Sequence, residues 1–156
     1  MRAPAARLLA AGGLLAVACA RTATAYRPSD TERAAVTNQI AAILVRSAAS
    51  WNRGDLDAFV DDYLPGDTTT FVGGRGIVRG TPPIRAAYAP RFAPGGVRDS
   101  LSFDNTEIDL LAPGVANVIS WYRLMRGDST TARGPTSLVM RHDADGQWRI
   151  VHDHSS

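Results

Sequence analysis

The chain has 156 residues, a formal net charge of +2, 17 arginines and no lysine. That length fits one domain around a single core, and the missing lysine excludes a lysine Schiff base and a Walker-type phosphate loop. The arginines are scattered and beyond Ala25 acids and bases nearly cancel, so no basic stripe for nucleic acid is present.

The first 25 residues read as a signal peptide. Arg2 and Arg7 form a basic start, and Leu8 to Ala18 is an apolar run too short to span a bilayer comfortably. Two processing readings fit. Leu15-Ala16-Val17-Ala18-Cys19 resembles a lipobox, with lipidation at Cys19, the only cysteine of the chain; Ala23-Thr24-Ala25 is an A-x-A site with cleavage before Tyr26. A lone cysteine forms no internal disulfide, so lipidation gives it a purpose. The expectation is an exported protein, either a lipoprotein touching the membrane only through its anchor or a periplasmic or secreted form.

Ser29-Asp30-Thr31-Glu32 is a capping box. Behind it Val36, Ile40, Ile43, Leu44, Ser47 and Trp51 recur at helical spacing up to Gly54. Asp55 caps a second helix whose Leu56, Phe59, Val60 and Tyr63 share a face, and Pro65-Gly66 stops it. Thr68 to Val72 is a strand, turned by Gly73-Gly74 and answered by Ile77-Val78. Thr81-Pro82 opens a third helix, with Thr81 as N-cap and an apolar stripe of Ile84, Tyr88 and Phe92 that Pro90 should kink or end early. Strands follow over Ser100–Leu111, Val115–Met125, Thr131–Arg141 and from Trp148 onward, separated by turns at Pro113-Gly114, Gly127-Asp128 and Asp145-Gly146. Helices followed by an antiparallel meander give an α+β domain over residues 26–156.

The last strand alternates, and simple alternation puts Trp148, Ile150, His152 and His154 on one face. Two imidazoles then continue an apolar stripe toward the mouth of a cavity. They fit a general base and its partner, since imidazole titrates near neutral pH; equally, one bonds a helix backbone and the other is exposed. Their spacing would suit a metal, but His142 lies at the far end of the hairpin and supplies no third ligand, so no metal is expected.

Trp51-x-x-Gly54-Asp55-Leu56-x-Ala58-Phe59, then Tyr63, then Arg79-Gly80-x-x-x-Ile84-Arg85, and the ending Asp145-Gly146-x-Trp148-Arg149-Ile150-Val151-His152-Asp153-His154-Ser155-Ser156 together resemble the SnoaL-like and ketosteroid-isomerase-like superfamily, also called the nuclear transport factor 2-like fold. The resemblance covers about residues 30–156. The ending is similar to bacterial members of unassigned function and to the association domain of calcium/calmodulin-dependent kinase II. The resemblance implies a cone of curved, mostly antiparallel sheet around N-terminal helices, an apolar pocket inside, and homodimers through the outer sheet face. This superfold hosts isomerases, dehydratases, hydrolases, cyclases and non-enzymes, so fold alone does not fix activity. In the isomerases the catalytic aspartate follows the acidic pair ending the second helix. The pair here is Asp61-Asp62, the matching position falls near Thr70-Phe71 without a carboxylate, and Asp67 is the nearest substitute.

The expected ligand pocket is lined by Trp51, Phe59, Tyr88, Phe103 and Tyr122. Arg123 either joins them, where it would anchor a carboxylate, or faces a dimer partner with Trp121. Two functions remain open. One is a non-catalytic domain that binds a small, mostly apolar molecule. The other is an acid–base enzyme of isomerase, dehydratase or cyclase type, with His152, His154 and Asp67 moving protons and Tyr63 donating a hydrogen bond. Neither calls for a cofactor.

Overall fold

The computed structural model describes residues 26–156 apart from Val97; the expected leader, with Cys19 and the Ala25 cleavage site, lies outside the described residues. Helix α1 (Asp30–Arg53) starts where Ser29 Oγ accepts the Glu32 backbone N–H at 3.1 Å, which satisfies one of the donors a helix start leaves unpaired. It ends at Gly54 in the left-handed conformation (φ 80°), where a side chain would also strike the Arg98 guanidinium at 2.7 Å. Asp55 then caps the short α2 (Leu56–Val60), accepting the Ala58 N–H at 3.0 Å.

Helix α2 stops earlier than its apolar spacing suggests. Tyr63 instead forms a parallel bridge with Ile150, flanked by Ile150 N–H to Asp62 O and Leu64 N–H to Ile150 O, both 2.8 Å. Strands β1 (Thr70–Gly73) and β2 (Gly76–Arg79) form a hairpin, followed by α3 (Thr81–Phe92). The N-cap of α3 is Gly80; the Thr81 hydroxyl turns back to the Leu64 and Gly66 carbonyls. Pro90 sits inside α3, which continues to Phe92. The N–H that proline lacks would have bonded only the Ala86 carbonyl one turn back, while the Ala93 N–H still reaches the Ala89 carbonyl, so the expected early stop does not occur.

Strands β3 (Ser100–Ala112), β4 (Val115–Arg126), β5 (Ser129–His142) and β6 (Trp148–Ser155) complete one sheet in the order β2-β1-β6-β5-β4-β3. All pairings are antiparallel except β1 with β6. Register shifts in each of the long pairs, including one beside Asn105 (φ 52°), bend the sheet around the helices, because bulges sharpen local twist. The helices pack on the inner face, and Asn52 of α1 clasps the edge strand by accepting the Leu101 N–H (2.7 Å) and donating to its carbonyl (3.0 Å).

Two apolar clusters fill the inside of this curved sheet. One gathers Ile40, Leu44, Ile84, Val118, Met140 and Ile150; the other, Trp51, Phe59, Val60 and Leu101, with Phe92 and Tyr122 against them. The expected α+β cone, with N-terminal helices on a curved and mostly antiparallel sheet, is the observed architecture.

Candidate functional site

Between the two clusters lies a cavity of about 460 Å³, within the range of small-molecule pockets. Its apolar wall is aromatic. The Trp51 and Phe59 rings meet edge-on at 5.3 Å, and Tyr88 packs edge-on against Phe59 at 5.0 Å and beside Phe71 at 5.2 Å. Phe103 and Tyr122, opposite each other on β3 and β4, close the other side.

The polar part is a chain of side chains. The Tyr63 hydroxyl donates to Asp153 Oδ2 at 2.6 Å and lies 3.3 Å from the Tyr88 hydroxyl. On the other side Ser155 Oγ donates to Asp153 Oδ1 at 2.8 Å, and Thr136 Oγ1 lies 2.8 Å from Ser155 Oγ. All five residues line the cavity. Asp153 is 5% exposed, and among the described residues no arginine forms an ion pair with it. Burial therefore pushes its carboxyl above the ordinary aspartate value, against the bonds from Tyr63 and Ser155 that favour the ionised form. Burial also raises both phenols, Tyr63 and Tyr88, so they stay neutral.

This chain has two states. With Asp153 ionised, both oxygens accept, and Tyr88, Tyr63, Ser155 and Thr136 all direct their protons toward it. With Asp153 protonated on Oδ2, the carboxyl donates to Tyr63, Tyr63 donates to Tyr88, and the Tyr88 O–H, still protonated, turns toward the cavity. One proton on a buried carboxyl thus sets whether the hydroxyl facing the cavity presents an acceptor or a donor.

Asp153 reaches this position through a bulge. Met140 pairs with Ile150 but Val139 with His152, so Val151 has no partner of its own on β5. The extra residue reverses the alternation. Trp148 and Ile150 face inward, and beyond Val151 the inward residues are Asp153, opposite Leu138, and Ser155, opposite Thr136. His152 and His154 consequently lie on the opposite face from the one simple alternation assigns them. His152 Nδ1 sits 2.6 Å from Thr70 Oγ1, His154 is exposed, and neither lines the cavity.

Of the other residues singled out from sequence, Tyr63, Trp51, Phe59, Tyr88, Phe103 and Tyr122 line the cavity. Asp67 does not; it is exposed in the loop between α2 and β1. Arg123 points to the outer face and pairs with Asp104 at 3.1 Å, since its parity on β4 is opposite to that of Tyr122 and Leu124. Asp62 is buried beneath Arg46, paired at 2.5 Å, away from the cavity. Simple sequence reading misses Asp153, Ser155, Thr136 and Phe71. The available signal for Asp153 is an aspartate within a strand of apolar and β-branched neighbours, where that residue is disfavoured. Among the described residues no three of His, Cys, Asp and Glu cluster as a metal site.

A curved sheet wrapped over helices, with an aromatic cavity open at one rim and a buried carboxyl in its floor, defines a class of small-cavity α+β domains. The SnoaL-like domain family matches residues 40–156, and the chain belongs to that family. Among solved structures it is similar to an NTF2-like protein of unknown function from Shewanella oneidensis MR-1, at 29% identity over 78% of this chain and 98% of that one, with a TM-score of 0.70. It also resembles a nuclear transport factor 2-like superfamily protein from Salmonella enterica (21% identity, 80% and 92% covered, TM-score 0.62). A third is a candidate ketosteroid isomerase from Parabacteroides distasonis (19%, 75% and 83%, 0.60). The last two likenesses are of fold. No curated protein matches the chain.

Proposed function

We propose that this domain binds one small, mostly apolar molecule in the cavity, with the Tyr88–Tyr63–Asp153 chain recognising a polar atom on it. The observation that carries this reading is the joining of five hydrogen-bonded polar side chains to an aromatic wall around about 460 Å³ of space. A purely structural core would gain by filling that volume. The leader read in the sequence would place this binding outside the cytoplasm, in a lipid-anchored or freely exported form.

The test uses N-phenyl-1-naphthylamine, a neutral dye that brightens in apolar surroundings. The expected result is saturable one-to-one binding, lost when Ala87→Trp fills the cavity from helix α3. Absence of binding, or binding indifferent to the filled cavity, overturns the reading.

A second reading, acid–base catalysis, is favoured by the Asp153 carboxyl at the buried floor of the cavity, hydrogen-bonded to Tyr63 and Ser155 and raised above its ordinary value by burial. In it Asp153 takes the place that sequence reasoning gave to His152, His154 and Asp67. The substrate would be a small carbonyl compound, with Tyr88 donating to its oxygen.

A further inference from the structure

The two most exposed side chains on the cavity rim are both arginines. Arg75 tips the β1–β2 turn and Arg91 lies in the last turn of α3; both line the cavity and both are exposed. Several arginines of the described residues meet carboxylates, among them Arg46 with Asp62, Arg126 with Asp99, and Arg149 with Asp143 and Asp61, and others such as Arg79 and Arg141 do not. Neither Arg75 nor Arg91 has such a partner among the described residues. Arg91 instead lies over the Trp51 ring, 5.9 Å from its centroid, a cation–π position that holds its charge against the aromatic wall.

The turn itself keeps the entrance clear. A side chain at Gly73 would meet the Phe71 ring at 2.9 Å, so glycine there lets Phe71 turn into the cavity. Positions 74 and 76 have open space around them, which leaves Arg75 as the one side chain of any size on the turn. The other end of the cavity has the opposite character. Asp153 is its only carboxylate among the described residues and lies at the buried floor beside Tyr63. An anion is therefore unfavourable deep in the cavity and favourable at its rim.

From this arrangement we propose that the ligand is an amphipathic organic anion, bound with its apolar body between Trp51, Phe59 and Phe103 and its anionic group held at the rim by Arg75 and Arg91. The proposal rests on the binding function above and adds to it a ligand class and an orientation. A hydroxyl or carbonyl at the inner end would meet Tyr88. Guanidinium pairs with carboxylates and sulfonates at good geometry are stronger than neutral hydrogen bonds, and a rim bathed in water makes the contribution sensitive to salt.

The experiment compares two dyes with the same aromatic body, 8-anilinonaphthalene-1-sulfonate and neutral N-phenyl-1-naphthylamine, on the wild-type chain and the Arg75→Gln/Arg91→Gln variant. Both should bind the wild type with one-to-one stoichiometry and compete. The double variant should lose about tenfold in affinity for the sulfonate dye, the scale of a charge-assisted contact, while affinity for the neutral dye stays within about twofold. Added sodium chloride should weaken only the sulfonate dye. Retained neutral-dye binding shows that the variant is folded. Should Arg91→Gln disturb the Trp51 wall, the single Arg75→Gln variant on the open turn carries the comparison. If the neutral dye binds but sulfonate binding ignores both arginines and salt, the ligand class proposed here is wrong while the cavity reading stands. If neither dye binds, the cavity reading itself fails.

Discussion

Tyr63 and Asp153, ninety positions apart in the chain, share the 2.6 Å hydrogen bond that joins the segment after α2 to the last strand. Both are buried, so each satisfies a polar group the other would leave stranded. Tyr63→Phe removes the donor without changing shape much, and the expected loss is about 1–3 kcal/mol, the range for an unsatisfied buried polar group. In the Asp153→Asn background the same change should cost less, because Asn is a neutral acceptor. Chemical denaturation of the four-member cycle measures the coupling, and additive effects would show that the two groups act independently.

The pH dependence follows from the direction of each shift. The folded pKa of Asp153 lies above its ordinary value of 3.8, so the fold binds the proton more tightly than the unfolded chain does. Its stabilising effect is complete below about pH 3.8 and declines as pH rises through the folded pKa. Asp99 and Asp143 are shifted the other way, by Arg126 and Thr131 and by the Gln147 backbone and Arg149 respectively, and their stabilisation is lost as pH falls below the ordinary range. The two effects therefore act on opposite sides. Melting curves between about pH 4 and pH 8 should show Asp153→Asn gaining relative to the wild type as pH rises. A constant difference across that range would mean that Asp153 does not titrate with a raised pKa.

Deleting Val151 tests the bulge. Without the extra residue His152 follows Ile150 directly, so simple alternation itself keeps Asp153 and Ser155 inward, still opposite Leu138 and Thr136, and the imidazoles outward. The deletion variant is expected to fold and to retain binding of the neutral dye. Loss of dye binding by a folded deletion variant would show that the bulge shapes the cavity beyond deciding which face Asp153 occupies.

The outer sheet face carries Ile119 (45% exposed) and Trp121 (38% exposed, with Arg133 stacked on its ring at 4.9 Å). We propose that this face joins two copies of the domain, since apolar patches on isolated chains are uncommon without a partner. Light scattering during size exclusion should give a dimer for the wild type and a monomer for Trp121→Glu. A monomeric wild type at micromolar concentration would rule this out.

Helix limits were legible wherever a residue has a local job. Ser29, Gly54 and Asp55 mark ends through capping, which depends on three or four neighbours only. The strands and turns were legible for the same reason, from alternation punctuated by Gly and Pro. Aromatic positions such as Trp51 and Phe59 could be assigned to the interior because helical spacing fixes a face. The floor of the cavity was not legible, because it depends on Val151, whose bulge has no mark in a run that alternates without interruption. The same limit applies to Tyr63: its spacing continues the α2 stripe, yet pairing with Ile150, far along the chain, takes it out of the helix. Asp67 looked like a substitute carboxylate by proximity in sequence, whereas the loop carries it into solvent.

Strand β6 sits between β1 and β5, although it follows every one of its neighbours in chain order. During vectorial synthesis the β1–β2 hairpin therefore has no sheet to join until this segment has left the ribosome. The carboxyl of the buried hydrogen-bonded chain arrives with it, so a nascent chain halted before Trp148 holds neither a continuous sheet nor the floor of the cavity. Closure of the sheet and completion of the cavity floor are one event.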